Sequence, residues 1–192
     1  MMVTEKVNQV DNNLNITTME RFKKEYFRDS NVIASQQSKL ADKESNDCVV
    51  RAFMCALDIT YDQAHAYIKK EMKRVDRKGT YTSAYAKNVV NTVKNNKKIH
   101  FIGTHPSKAY INNMVCGNAK KKMLTNNKYY KPTGFTLKSF IECNPIGRFV
   151  LIVQGHAVAV VNGVLFGNAT EQYYGLYRSV WYGFEMREKT IA

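Results

Sequence analysis

Apolar positions follow a helical spacing through the first half of the chain and gather into short β-rich runs in the second. Residues 1–16 are polar and Asn-rich with no sustained period, which predicts a flexible N-terminal arm. Thr17 and Glu20 have capping-box spacing, and Met19, Phe22, Tyr26 and Phe27 then form a stripe among charges, predicting an amphipathic helix over 18–29. The stretch SQQSKLADKESND, residues 35–47, is polar and turn-rich and predicts a surface loop. From Cys48 to Leu57 only Arg51 interrupts an apolar run, so a helix there has no wet face and must lie deep in the structure. Thr60 and Gln63 repeat the capping-box spacing, and Ala64, Ile68, Met72 and Val75 line one face of a helix expected to end at Gly79. His65 falls on that partly polar helix and is expected to be exposed. Tyr85, Val89, Val90 and Val93 predict a further helix over 83–95, and KIHFIGT, 98–104, alternates like a strand.

Residues 105–134 carry no legible period and are expected to form a loop or insertion that includes a Lys- and Tyr-containing stretch at 119–131. Thr136 can cap a short helix through Phe140 and Ile141 that stops at Asn144-Pro145. Strand-like runs then follow at 147–154, 156–161 and 164–168, the last two joined by Asn162-Gly163, a strong hairpin signal. Aromatic alternation beyond Tyr173 adds one or two strands. The pattern is α+β, with a single domain over 17–192: a helical half over about 17–143 around a buried central helix, and an antiparallel sheet half over about 147–192.

Charge changes this picture by suggesting partners. The 29 Lys and Arg residues outweigh 16 Asp and Glu, and a net charge of +13 favours an anionic partner such as nucleic acid, an acidic protein or anionic lipid. Lysines spread along the chain supply most of it, and they serve solubility equally well. No apolar run approaches the ~18 residues of a bilayer span, and the start lacks the basic and apolar regions of a secretory signal, so a cytoplasmic protein is expected. Cys48, Cys55, Cys116 and Cys143 sit in apolar segments of a long chain and are expected to be free thiols. With no C-x-x-C pair, and His100 and His105 five apart on a strand and turn, no metal site is expected. Neither glycine-rich phosphate-binding pattern occurs, and no cofactor is expected.

Nucleophilic chemistry is the reading these residues serve best. Cys48 falls in the first turn of its helix, with Asn46 or Asp47 as N-cap, where unpaired amides and the helix dipole favour a thiolate. Cys55, two turns further in, reads as packing. Among four histidines, His156 opens a strand of the sheet that should face the central helix, and it can serve as general base. Asn168 ends the strand joined to it through the 162–163 turn, which brings Asn168 to the same end of the hairpin as His156, subject to register.

The segment NDCVVRA, followed about 100 residues later by GRFVLIVQGHAVAVVNGVLFGN, resembles the papain-like cysteine peptidases, and especially small papain-like proteins of bacteriophages and bacteria. The resemblance covers about residues 45–170. It implies a papain-like fold and a thiol protease or related hydrolase, with Cys48 as nucleophile, His156 as base, Asn168 as orienting group and the Cys48 N–H in the oxyanion hole. The glutamine that the family places six residues before the cysteine is Asp42 here; Gln36 and Gln37 lie further back, and Asn46 serves either the oxyanion hole or as a helix cap. The implied substrate is a protein or peptide, and the basic surface favours one that is acidic or associated with nucleic acid, in a host cytoplasm if the source is a phage. The alternative is an inactive papain-like binding protein whose basic face engages nucleic acid or an acidic host protein.

Overall fold

Seven of the ten residues in CVVRAFMCAL are buried, so this segment forms helix α2 (Cys48–Leu57) at the centre of the molecule rather than on its surface. Asp58, in the left-handed conformation at φ 59°, ends it. Arg148 donates from Nε to the Ala56 carbonyl at 2.7 Å and from a terminal nitrogen to that of Cys55 at 2.9 Å, satisfying acceptors that the helix end leaves without partners.

The computed structural model of the chain describes residues 26–103, 135–168 and 177–189. Among the described residues, helices α1 (Ser30–Gln37), α3 (Tyr61–Glu71), α4 (Thr82–Val89) and α5 (Leu137–Cys143) accompany α2, with a short 3-10 turn at Ala41–Lys43. The strands are β1 (Phe27–Asp29), β2 (Val93–Lys94), β3 (Lys97–Gly103), β4 (Arg148–Val153), β5 (His156–Val161), β6 (Val164–Gly167) and β7 (Val180–Glu188). They form one sheet in the order β1-β6-β5-β4-β7-β3-β2, in which only β1 and β6 run parallel. The fold is α+β with a mixed sheet.

Alternation along the strands divides the core. Val150, Ile152, Ala157 and Ala159 face α2, and the two alanines let the helix backbone approach closely. Phe53 of α2 meets the Phe184 ring at 5.5 Å between centroids, and burying one such side chain stabilises the fold by about 1.5–3 kcal/mol. On the opposite face Phe149, Leu151, Val158 and Val160 pack against Leu137 and Phe140 of α5, whose start is closed by a Thr136/Ser139 capping box.

Several sequence expectations change. Residues 27–29 are a strand rather than the end of a helix over 18–29: Phe27 joins the core beside Leu165, and Asp29 accepts a hydrogen bond from the Asn31 N–H as the cap of α1. The helix begun by Thr60 and Gln63 keeps its capping box but ends at Glu71, because Lys73 takes a positive φ of 53°. Val75 lies beyond it, 62% exposed. The helix expected over 83–95 stops at Val89, and Val93–Lys94 pairs with β3 across Asn95-Asn96, both in the left-handed region that suits a tight hairpin. Strands β1, β2 and β3 thus leave the helical half to join the sheet, which is not purely antiparallel. The Asn162-Gly163 turn is present, with φ values of 48° and 78°. Cys143 is disulfide-bonded, contrary to the expectation of free thiols, while Cys48 and Cys55 are free. The arm 1–16 and the insertion 105–134 lie outside the described residues. No described helix is long and apolar enough to cross a membrane.

Candidate active site

Cys48 is the first residue of α2, and His156 is the first of β5, set opposite Val153 by the two-residue turn at Gln154-Gly155. Because β5 lies under α2, these two element starts meet: the His156 ring hydrogen-bonds the Cys48 sulfur, and the Ala157 backbone N–H is directed at it. Burial pushes the Cys48 thiol up, but the hydrogen bond and charge of His156, the Ala157 N–H and the charge of Arg51 together hold it below the ordinary thiol value. Cys55, two turns along the same helix, has no such neighbours close enough; burial outweighs Arg148 and Arg51 and pushes it up to about 12. Two thiols of one helix are therefore shifted in opposite directions.

Asn168 arrives at the same place by register. Phe166 pairs with Ala159, so continuing the two strands brings Asn168 level with Ala157, on the face turned to α2. The end of β6 is held from its other side by β1, where Asp29 pairs with Gly167 and the Ser30 hydroxyl donates to the Gly167 carbonyl at 3.0 Å. Cys48, His156, Asn168 and Asn46 all line one open cavity of about 530 Å³. The residues named for chemistry are thus brought together, none of them elsewhere in the fold.

Asn46 does not cap α2. Asp47 holds the N-cap position and makes no side-chain cap bond; its buried carboxylate instead accepts from the Tyr61 hydroxyl at 2.7 Å and pairs with Arg51 at 2.6 Å. The Asp47 side chain makes no hydrogen bond to the amides of the first turn of α2, the kind of donors that can stabilise negative charge in the cavity. Asn46 itself takes a φ of 54° and donates from Nδ2 to the Arg77 carbonyl at 3.3 Å. Asn46 also lines the cavity. Asp42 lies exposed in the 3-10 turn, and Gln37 is committed elsewhere, accepting from the Tyr61 N–H at 3.1 Å.

The rest of the cavity comes from residues that no motif marked. Strand β7 carries a bulge: Tyr182 pairs with Ile152 and Val180 with Val153, which leaves Trp181 as the extra residue and turns it toward the site. Gly183 makes the tight pairing beside the bulge possible, since a Cβ there would stand 2.4 Å from the Val150 carbonyl oxygen. The opposite wall is the segment from Gly79 to Ser83, tied to β7 by a hydrogen bond between Thr82 and Tyr182. Arg51 brings a cation to the lining, and among the described residues no carboxylate lines the cavity. The signal for Arg51 was its place as the one charge in an apolar helix; the bulge at Trp181 depends on strand pairing and left no local mark.

The arrangement can deliver a thiolate to a carbonyl carbon, hold a proton on an imidazole, and offer amide donors to an oxyanion. Comparison of the chain with family models, curated proteins and solved structures yields no match.

Proposed function

We propose that the chain is a papain-like thiol hydrolase acting through Cys48, and most simply a cysteine protease. One observation carries the reading: Cys48, at the open end of a buried helix, is hydrogen-bonded by His156 and held below the usual thiol range in spite of its burial, while Cys55 of the same helix is pushed far above it. The presence of Asn168 in the same cavity supports its role as the group that orients the imidazole.

In the proposed reaction the Cys48 sulfur attacks the carbonyl carbon of an amide and forms a C–S bond, with the oxyanion received by the Cys48 N–H and by Asn46. The C–N bond then breaks as His156 gives its proton to the departing amine. Water attacks the resulting thioester while His156 takes its proton, and the carboxylic acid leaves with the thiol restored. The same three groups serve isopeptide, amidase and acyl-transfer chemistry, so substrate choice rests with the cavity walls. Arg51 in the lining is already paired with Asp47, so the preference for an acidic substrate rests on the net charge of +13 and on the lack of a carboxylate among the described lining residues. The test is incubation with a proteome-derived peptide library: new peptide termini that vanish in Cys48→Ala support the reading, and identical patterns for both proteins refute it.

The same net charge favours a second reading, a binding protein that engages nucleic acid or an acidic protein through its basic surface. It predicts steeply salt-dependent binding that survives Cys48→Ala.

A further inference from the structure

His65 of α3 was expected to be exposed, but it is only 7% exposed, and its Nε2 is buried without a hydrogen-bond partner. The reason lies in two loops that close over it. Glu44 follows the 3-10 turn, and its Oε2 accepts from Arg74 at 2.7 Å and from the Arg77 N–H at 2.8 Å. Its other oxygen, Oε1, faces His65 Nε2 at 3.5 Å. Asp76, in the loop after α3, places Oδ1 3.6 Å from the same nitrogen.

These separations bear on the kind of contact the three residues can make. They are longer than the ~2.7–3.2 Å of a hydrogen bond. Two ligands bound to one tetrahedral ion at about 2.0–2.2 Å stand about 3.3–3.6 Å apart, which matches the two separations from His65. All three ligand atoms lie within 4.8 Å of one another, and the buried His65 Nε2, without a hydrogen-bond partner, stands 3.5 and 3.6 Å from the two carboxylate oxygens. We infer that Glu44, His65 and Asp76 form a site for a first-row divalent transition-metal ion, bound through Glu44 Oε1, His65 Nε2 and Asp76 Oδ1.

The neighbouring charges are consistent with this and set its conditions. Arg74 occupies only the Glu44 oxygen that the ion does not need, leaving a carboxylate shared between guanidinium and metal. Lys69 holds both Asp76 oxygens, at 2.9 and 2.7 Å, and must release Oδ1; both side chains are 52% exposed, so this ion pair is a weak competitor. One nitrogen and two oxygens suit Mn²⁺, Co²⁺ or Zn²⁺ rather than the all-oxygen sites of Ca²⁺ and Mg²⁺. The bound ion would pin the segment that leads into Cys48 to the loop that leads to Gly79, and both border the cavity. The site does not depend on Cys48 being reactive.

Mn²⁺ is the probe, because softer ions are drawn to a thiolate and imidazole pair such as Cys48 and His156. Titration of the full chain at neutral pH, following the electron paramagnetic resonance signal of free Mn²⁺, should show one saturable site per chain. Asp76→Asn and His65→Gln should each weaken it by about tenfold or more, Lys69→Ala should tighten it, and Cys48→Ala should leave it unchanged. Asp76 is half exposed, so its variant decides the matter if His65→Gln does not fold. Absence of saturable binding up to millimolar Mn²⁺, binding unaffected by Asp76→Asn, or binding lost in Cys48→Ala would each overturn the assignment.

Discussion

Replacing His156 with alanine should collapse a difference in reactivity between two cysteines of one helix. Cys55 stands at about 12, three units above an ordinary thiol at 9.0, and Cys48 stands below 9.0. At neutral pH the thiolate fraction of Cys48 therefore exceeds that of Cys55 by about 10³ or more. Intrinsic nucleophilicity falls with pKa by a Brønsted slope of about 0.4–0.5, which takes back about 30-fold over three units. Alkylation of Cys48 should thus outpace that of Cys55 by roughly 30-fold or more. Without His156 its hydrogen bond and its charge are gone, burial remains, and the Cys48 thiol rises toward the condition of Cys55. The assay is limiting iodoacetamide on the native protein, quenched over time, with the modified cysteines quantified by peptide mass spectrometry. The sign of the pH dependence is fixed as well: the thiol with the lower pKa loses no larger a share of its thiolate as pH falls, so the preference for Cys48 should not narrow between pH 8 and pH 6. Equal labelling of both cysteines in the wild type, or a preference for Cys48 that His156→Ala leaves intact, would refute the reasoning.

In the proposed reaction Asn168→Ala should leave Cys48 readily alkylated but lower turnover of any acyl substrate by roughly 10- to 100-fold, because the proposed orienting group is removed and the imidazole is not; steady-state kinetics beside the labelling assay separates the two effects. Gly183→Ala should destabilise the fold by about 1–3 kcal/mol in urea denaturation, since the new Cβ meets the Val150 carbonyl oxygen at 2.4 Å and β4 and β7 must part. Arg74→Met should cost about 3–5 kcal/mol in the same measurement, because the Arg74 side chain is 0% exposed and its loss leaves the buried Glu44 carboxylate without its counter-charge. An unchanged midpoint in either stability experiment would contradict the packing described.

The parts of the fold legible in the sequence were those written locally. Helix α2 followed from ten residues with a single charge, the Thr60 and Thr136 capping boxes from their spacing, and the β5-β6 hairpin from Asn162-Gly163. The closeness of Cys48, His156 and Asn168 was legible because the first two open elements and Asn168 directly follows β6, and such positions at one edge of a helix-on-sheet pair lie close. What was illegible depended on distant partners. Val89, Val90 and Val93 fit a helical period, and only the left-handed Asn91, Asn95 and Asn96 break it into a hairpin. Strand β1 is three residues long and exists because β6, far along the chain, offers it an edge. His65 lies on a helix that reads as partly polar, and it is buried because Glu44 and Asp76 come from two loops to cover it. Asp47 is the N-cap residue the sequence offered beside Asn46, but its carboxylate goes to Tyr61 and Arg51 rather than to the amides of its own helix, which no local pattern could show.

The acyl-enzyme is the species on which the functional account stands, and trapping it is the most direct measurement. Mixing the full chain with p-nitrophenyl acetate should release a burst of about one equivalent of nitrophenolate per chain, with an acetyl group that peptide mapping finds on Cys48. Cys48→Ser should abolish the burst and His156→Ala should slow it. A linear release without a burst, or acetylation that falls on lysines and persists in Cys48→Ser, would contradict the assignment of Cys48 as a nucleophile.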